Sequence, residues 1–365
     1  MHILLQFLGI KESGPVFTYE LAKGLIENGE NVYAILNSDI ENREKWEGLL
    51  KKERIFFVKD FLSRKRPVRS GLKFVNELRM IKKFFKGCEF DCSIRTFVDK
   101  YDNIIANMLQ INKVVNFCHD PVPHSGVSFD DARKSKNLIN KADKIVVLTK
   151  EFIPIIRDEY ARKEKDIIFI RHGVLPYSNG KQICKREYKT GKEVQFLFFG
   201  RIDPYKGVDI LTEAFLSLGK YSDIKLIIAG SGDISKISET IGKMKNVEIV
   251  NRYIHDYEVD ELFRRENVVL VLPYKDATQS GVATVAFEYG VPVIASNTGG
   301  LKEQLFDGKV GLLVKAGDTD DLATAMQRFL NEDGLYNKQV ELMEEYRKDL
   351  GWNKITGKLM EEVFA

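Results

Sequence analysis

Short runs of β-branched and aromatic residues recur along the chain, each followed by a longer segment with helical amphipathic spacing. This alternation constrains the fold more than any other feature. Strands separated by helices pair in parallel, because a crossover returns the chain to the same end of the sheet, whereas a hairpin does not. HILLQFL, NVYAIL, RIFFV, FDCSI, KVVNFC, KIVVLT and DIIFI read as strands of one open sheet, with helices over 15–28, 70–86, 131–141 and 150–161 among them. The stretch 173–193, GVLPYSNGKQICKREYKTGKE, breaks the pattern with polar, glycine-bearing and basic residues. Alternation then restarts with VQFLFF, IKLIIA, VEIV, VVLVL and PVIAS, a second and separate sheet. The fold class is therefore α/β, with an N-terminal domain over 1–173, a linker over 174–193 and a C-terminal domain over 194–350. A last amphipathic segment, with Trp352, Ile355, Leu359 and Val363 on one side, predicts a docking helix within 351–365.

Composition bounds the function. A length of 365 residues suits two domains of ordinary size, and 44% apolar with 30% charged residues is the balance of a soluble globular chain. The start, MHILLQFLGI, has neither a basic leader nor a small-residue cleavage site, and charges interrupt every long apolar stretch. A cytoplasmic location is the expectation. Cys88, Cys92, Cys118 and Cys184 lack the paired spacing of a zinc site and read as reduced thiols. No Asp-x-Asp or His/carboxylate cluster follows a strand end in a metal-binding arrangement, so no metal and no bound cofactor are expected. Gly9 and Gly14 after the first strand, and Gly230 and Gly232 before Asp233, fail the dinucleotide fingerprint, and no phosphate-binding P-loop motif is present. Nicotinamide dehydrogenases and P-loop nucleotidases are disfavoured.

Charge is uneven. Residues 51–86 carry 13 Lys/Arg against 3 Asp/Glu inside a chain whose total is only +3. Phe74, Leu78, Ile81 and Phe85 share one helical face there, with Arg79 and Lys83 opposite, beside Lys82 and Lys86. Such a segment fits an anionic membrane surface, and equally a core-packed helix with a solvated basic face. It contains no nucleic-acid-binding module, so nucleic acid is not an expected partner.

Two segments carry chemistry. In FLFFGRIDPYKG, 196–207, an apolar strand ends in Gly200 and its loop brings Arg201 and Lys206 to the start of a helix. A planar guanidinium, an ammonium and helix N–H groups together suit a diphosphate, although two solvated loop cations would show the same spacing. In PYKDATQSGVATVAFEYGVPVIASNTGG, 273–300, a Thr-Gln-Ser-Gly turn opens a helix after a strand. Gly281 permits close backbone approach. Glu288 falls near the end of that helix, where a carboxylate opposes the macrodipole; a ligand or plain solvation would account for it.

These two segments, in this order and with these strands around them, resemble the donor half of retaining GT-B glycosyltransferases. The large family-4 group, the "glycosyl transferases group 1" type that includes mannosyl- and glucosyltransferases, is the match. The likeness is strongest over 194–331, through IKLIIAGSGD, VVLVLPY, GVPVIASNTGGLKEQLFDGKVGLLV and DTDDLATAMQRFL. The resemblance implies two Rossmann-like domains facing each other across a cleft, with the C-terminal helix returning to the first. It implies a retaining, metal-independent transfer from a nucleotide-diphosphate sugar to a glycan or lipid-linked acceptor, of the kind used in cell-surface polysaccharide synthesis.

By the same resemblance Arg201 and Lys206 would bind the diphosphate, and Glu288 the ribose hydroxyls as the second member of a Glu-x7-Glu pair. The first member would be Ser280, a departure that leaves Gln279, Ser280 and the N–H groups of Gly281 and Val282 to meet the sugar or phosphate. Tyr253, in NRYIHD, would frame the base, though a core-edge aromatic needs no such role. Gly14 in GIKESGP would approach the diphosphate, and His119 in VNFCHDPVPHSG would lie near the donor sugar. His124 and His172 receive no role. An epimerase or hydrolase of the same fold, and a catalytically silent sugar-nucleotide-binding subunit, are the alternatives.

Overall fold

A computed structural model describes residues 1–59, 67–122, 129–178, 180–235, 237 and 239–365. Chain contacts divide it into two compact units, residues 1–173 with 351–365, and residues 174–350.

The first unit is built on seven strands, β1 (His2–Phe7), β2 (Asn31–Asn37), β3 (Ile55–Val58), β4 (Cys92–Arg95), β5 (Val114–Cys118), β6 (Lys144–Val147) and β7 (Ile167–Phe169). They pair in parallel throughout, in the order β3-β2-β1-β4-β5-β6-β7. Each expected strand is found. Helices α1 (Ser13–Glu27), α2 (Arg43–Leu49), α3 (Pro67–Phe84), α4 (Asp102–Met108), α5 (Phe129–Ile139) and α6 (Phe152–Glu159) lie between them. The apolar face expected on α3 is the packed one. Ile81 and Phe85 are buried beside Leu4, Ile35 and Ile105, Phe74 and Leu78 are packed against the same core, and Arg79, Lys82, Lys83 and Lys86 are exposed.

A polar chain crosses the middle of this sheet. Ser93 donates to Gln6 Oε1 at 2.5 Å, Arg95 Nε donates to the same oxygen at 3.3 Å, and Arg95 reaches the carbonyl of Asp102 at 3.0 Å. Arg95 and Asp102 are wholly buried. Hydrogen bonding to neutral amide oxygens lets an arginine stay there, since burial alone would penalise its charge.

The second unit holds β8 (Val194–Phe199), β9 (Ile224–Ala229), β10 (Val247–Val250), β11 (Val268–Leu272), β12 (Val293–Ser296) and β13 (Leu312–Val314), again all parallel, in the order β10-β9-β8-β11-β12-β13. Its helices are α7 (Val208–Ser217), α8 (Glu239–Gly242), α9 (Asp256–Arg264), α10 (Gly281–Tyr289), α11 (Leu301–Gln304), α12 (Thr319–Asn331) and α13 (Leu335–Arg347). The segment 174–193, expected as a linker, has no helix or strand and is part of this unit. Arg186 holds it there. Its guanidinium donates to the carbonyls of Arg265 at 2.7 Å, Tyr289 at 3.3 Å and Phe263, so one planar fork satisfies carbonyls at the C-terminal ends of both α9 and α10.

The docking helix forms as α14 (Trp352–Phe364) and packs on α1 within the first unit. Trp352, Ile355, Leu359 and Val363 are all buried. Two glycines make the approach possible, for a Cβ on Gly24 would stand 2.6 Å from the Trp352 carbonyl oxygen and one on Gly173 2.4 Å from the indole ring. The Trp352 ring meets Phe17 edge-on at 5.0 Å, and Asn28 donates to the Asn353 carbonyl and the Thr356 hydroxyl, both at 2.8 Å.

Candidate active site

Strand order in the second sheet reverses at β8, whose neighbours β9 and β11 lead away in opposite directions. Open α/β sheets bind ligands outside the carboxyl ends of the strands at such a switch point. Here those ends are Gly200, inside the first motif segment, and Pro273, which begins the second.

The first loop is fixed by its backbone. Ile202 N–H donates to the Ser231 carbonyl at 2.8 Å, and a single turn, Pro204–Lys206, closes with Lys206 N–H on the Asp203 carbonyl at 2.9 Å. Gly207 follows at φ 68°, where a Cβ would stand 1.9 Å from the Pro273 carbonyl oxygen, so only glycine lets the two loops touch. Lys206 is thereby delivered to one place. Its Nζ donates to the Tyr274 hydroxyl at 3.3 Å and lies 4.9 Å from the centre of that ring. Burial works against the ammonium, the Tyr274 and Tyr205 oxygens favour it, and the balance holds Lys206 above the ordinary lysine range. It is a fixed positive charge at neutral pH. Arg201, 59% exposed, stands 3.6 Å from Asp203 and presents a second positive charge on the same loop.

The second loop meets the first through Tyr274, whose hydroxyl is also 3.3 Å from Ser280 Oγ. Ser280 is the cap residue of α10, and Gly281 and Val282 open the helix. Gln304 of α11 clamps the cap from behind, accepting from Ser280 N–H at 2.8 Å and donating to its carbonyl at 3.2 Å. Val282 Cγ2 lies 3.7 Å from where a Cβ on Gly200 would be, so the two loops close on one spot. Lys206, Ser280, Gly281 and Val282 are thus brought together, with half-buried Gln279 next in the chain. Tyr274 and Gln304 are the members that sequence reasoning missed. A tyrosine directly after a buried strand was the available signal for the first; nothing in the sequence marks the second.

Glu288 stands elsewhere. It lies in the last turn of α10, and a rise of about 1.5 Å per residue puts it roughly 12 Å along the helix from Ser280. Its carboxylate accepts from Arg347 of α13 at 2.6 Å. The carboxylate that opposes the macrodipole is compensated by that guanidinium, and its separation from Ser280 is that of the expected Glu-x7-Glu pair. Tyr253, at the end of β10, is 36% exposed, with its ring edge-on to His255 at 5.3 Å, and His255 stacks on Tyr257 at 6.0 Å.

In the first unit Gly14 sits in the first turn of α1, where a Cβ would stand 2.7 Å from the Phe7 ring. Close packing against Phe7 accounts for the glycine. Glu12, just before α1, has φ 71° and ψ −151°, a conformation normally left to glycine. His119 follows β5. Its Nε2 donates to the Thr96 carbonyl at 2.8 Å, its ring stacks on Phe97 at 4.1 Å, and burial lowers its pKa against the opposing pull of Asp120. The ring is neutral at pH 7. His172 is buried too, and desolvation brings it down to about 4. His124 lies outside the described residues. All four cysteines are unbridged. Among the described residues no group of three or more His, Cys, Asp or Glu is placed to hold a metal ion, and no helix is long and apolar enough to cross a membrane.

Comparison with known proteins agrees with this architecture. The family model for glycosyl transferases group 1 matches residues 181–349. An uncharacterized glycosyltransferase of Methanocaldococcus jannaschii is 29% identical over 60% of this chain and 58% of its own length. The phosphatidyl-myo-inositol mannosyltransferase of Mycobacterium leprae is 30% identical over 47% of this chain and 46% of its own. The chain thus spans about half of the length of these curated relatives. The crystal structure of Anabaena HepE in complex with UDP and glucose is similar in fold, with a TM-score of 0.73 and 15% identity over 100% of this chain and 99% of that one. The segment 181–349, which contains Lys206, Tyr274, Ser280 and Gln304, thus matches the glycosyl transferases group 1 family, and the two parallel-sheet α/β domains with their C-terminal helix have the GT-B fold of the solved neighbours.

Proposed function

We propose that the protein is a retaining, metal-independent glycosyltransferase that moves a sugar from a nucleoside diphosphate sugar to a glycan or lipid-linked acceptor in cell-surface polysaccharide synthesis. It would work in the cytoplasm, peripheral to the membrane, and without a bound cofactor. The observation that carries this reading is the cluster at the carboxyl ends of β8 and β11, where a fixed Lys206 ammonium meets the N-terminus of α10. Both favour negative charge, and both are in place before the bond breaks. Charge developing on a leaving diphosphate is what such preorganised groups stabilise, with Arg201 as a second cation. The similarity to a protein crystallised with UDP and glucose supports a nucleotide sugar donor. His119, neutral and donating to a main-chain carbonyl, fits a positioning role near the donor sugar better than proton transfer.

Calorimetric titration with nucleoside diphosphates tests the reading. Lys206→Ala should weaken binding by about 1.5–3 kcal/mol, the range of a hydrogen bond to a charged group. Transfer to an acceptor should survive chelation. Unchanged affinity in the variant, or complete loss of transfer in EDTA restored by magnesium, would overturn it. Ser280, neutral where the resemblance led to a carboxylate, favours a second reading, a silent subunit that binds the donor without turnover. Donor binding with no transfer across a broad acceptor panel would establish that reading instead.

A further inference from the structure

We infer that Tyr274 is a positioning residue of the diphosphate site, turning the Ser280 hydroxyl outward as a hydrogen-bond donor to an anionic oxygen. The inference rests on the diphosphate reading above, and it gives Ser280 the reverse of the part played by the carboxylate that the resemblance led to, which could only accept. It follows from counting hydrogens. Tyr274 is 1% exposed, and among the described residues its hydroxyl has two polar neighbours, Lys206 Nζ and Ser280 Oγ, both at 3.3 Å. Those spans are long for a hydroxyl, as catalytic hydrogen bonds are before substrate tightens them. An ammonium has no lone pair, so Lys206 can only donate to the phenol oxygen. The phenol hydrogen is left with one acceptor, Ser280 Oγ. In the reverse arrangement the phenol oxygen would take two hydrogens while its own stayed buried without a partner. A hydroxyl that accepts from a cation also becomes the stronger donor, so the chain runs from Lys206 through Tyr274 to Ser280.

Ser280 does not behave as a cap. A serine before a helix ordinarily accepts from an N–H of the first turn, yet this side chain makes no such bond, and its main-chain N–H and carbonyl are both taken by Gln304. The residue is 4% exposed, and among the described residues its hydroxyl hydrogen meets no acceptor. Lys206 Nζ has further hydrogens to give, and the N–H groups that open α10 are not capped by the serine. All of these face one opening. Lys206 Nζ lies 3.4 Å and Val282 Cγ2 3.7 Å from where a Cβ on Gly200 would be, so the bare backbone of that glycine leaves the room. What converges there is hydrogens. A phosphate oxygen, which only accepts, suits such a set; a sugar hydroxyl, which must place a hydrogen of its own, suits it less.

Pyrophosphate is the first probe, since it offers acceptor oxygens and neither base nor sugar; UDP and UDP-glucose are the second. In calorimetry on the full chain Ser280→Ala should weaken pyrophosphate and UDP roughly tenfold or more, the low end for a hydrogen bond to a charged group, whereas Ser280→Thr, which keeps the hydroxyl, should stay close to the wild type. Tyr274→Phe removes the hydroxyl and leaves the ring 4.9 Å from Lys206 Nζ, so it should weaken both probes by a smaller factor. In the double variant the loss of Ser280 should cost markedly less than it does alone, because the serine has already lost its orientation. A phenol that only props up the loop would give losses that add. The effect of Ser280→Ala should also be the same for UDP and for UDP-glucose. Additive losses, or a loss confined to UDP-glucose, would overturn the inference, the second by making Ser280 a reader of the sugar. A wild-type chain that binds pyrophosphate but none of UDP, GDP and ADP would sink the nucleotide reading and leave the relay standing; one that binds none of the four would overturn both. Circular dichroism and urea midpoints equal to those of the wild type tie each loss to the site.

Discussion

Asp102 makes the stability of the first unit depend on pH in a direction opposite to most carboxylates. It opens α4, wholly buried, with Oδ2 accepting from the Asp99 N–H at 2.6 Å. Burial pushes its carboxyl from an ordinary 3.8 up to about 7, against the Asp99 amide and the Arg95 guanidinium, which both favour the charge. Between those two values the folded chain holds a proton that the unfolded chain has released. This contribution is therefore fully present below about pH 4 and is lost as pH rises through 7. About three pH units at roughly 1.36 kcal/mol each amount to about 4 kcal/mol. His172, brought down to about 4 by burial, gives the opposite slope between pH 4 and its ordinary 6.5, so the wild-type profile alone would hide the effect. Asp102→Asn isolates it, because the amide can still accept from Asp99 and never ionises. The chain has two tryptophans, Trp46 and Trp352, both buried in the first unit, so urea unfolding followed by tryptophan fluorescence reports that unit. The stability of the variant minus that of the wild type should rise by about 4 kcal/mol from pH 4 to pH 8. A difference that stays constant to within about 0.5 kcal/mol would refute the assignment of the titration to Asp102.

Two further outcomes follow from the second unit. Gly207→Ala, which sets a Cβ 1.9 Å from the Pro273 carbonyl and holds a left-handed alanine, should cost about 1–3 kcal/mol of stability and weaken nucleoside diphosphate binding by moving Lys206; calorimetry with unchanged affinity would show that the two loops are not coupled. Glu288→Gln breaks the pair with Arg347 and, with that guanidinium 41% exposed, should cost only about 1 kcal/mol of stability while donor affinity drops; unchanged affinity in calorimetry would refute the ribose role and leave the pair with Arg347 standing.

The seven strands of the first sheet and five of the six in the second are legible in the sequence, because a buried parallel strand must be a short apolar run. β13 is the exception. Leu312–Val314 is three residues long and emerges from Gly311 at φ 80°, too brief for any periodicity to show. Lys206 and Ser280 are legible as site residues because each stands next to a strand end and a helix start within one short segment. The pairing of Glu288 is not legible, for the opposite reason. A helix-end carboxylate signals an unmet partner, and the partner, Arg347, is 59 residues away, where local reading cannot reach. Gln304 is hidden in the same way, 24 residues beyond the Ser280 main chain that it clamps. The span 174–193 reads as a linker from composition alone, whereas the contacts of Arg186 with main-chain carbonyls depend on no side-chain pattern at all.

The packing of α14 on α1 also sets an order of events during synthesis. Every residue of the second unit has been made once Leu350 is added, whereas the first unit still lacks Trp352 to cover Gly173 and Phe17, and Thr356 to accept from Asn28. Translation thus delays completion of the first unit, whose strands are made first, until the second unit has been made as well. A chain cut off after Leu350 would leave the face of α1 around Gly24 without its cover, so its defect would lie in the N-terminal unit, far from the missing codons.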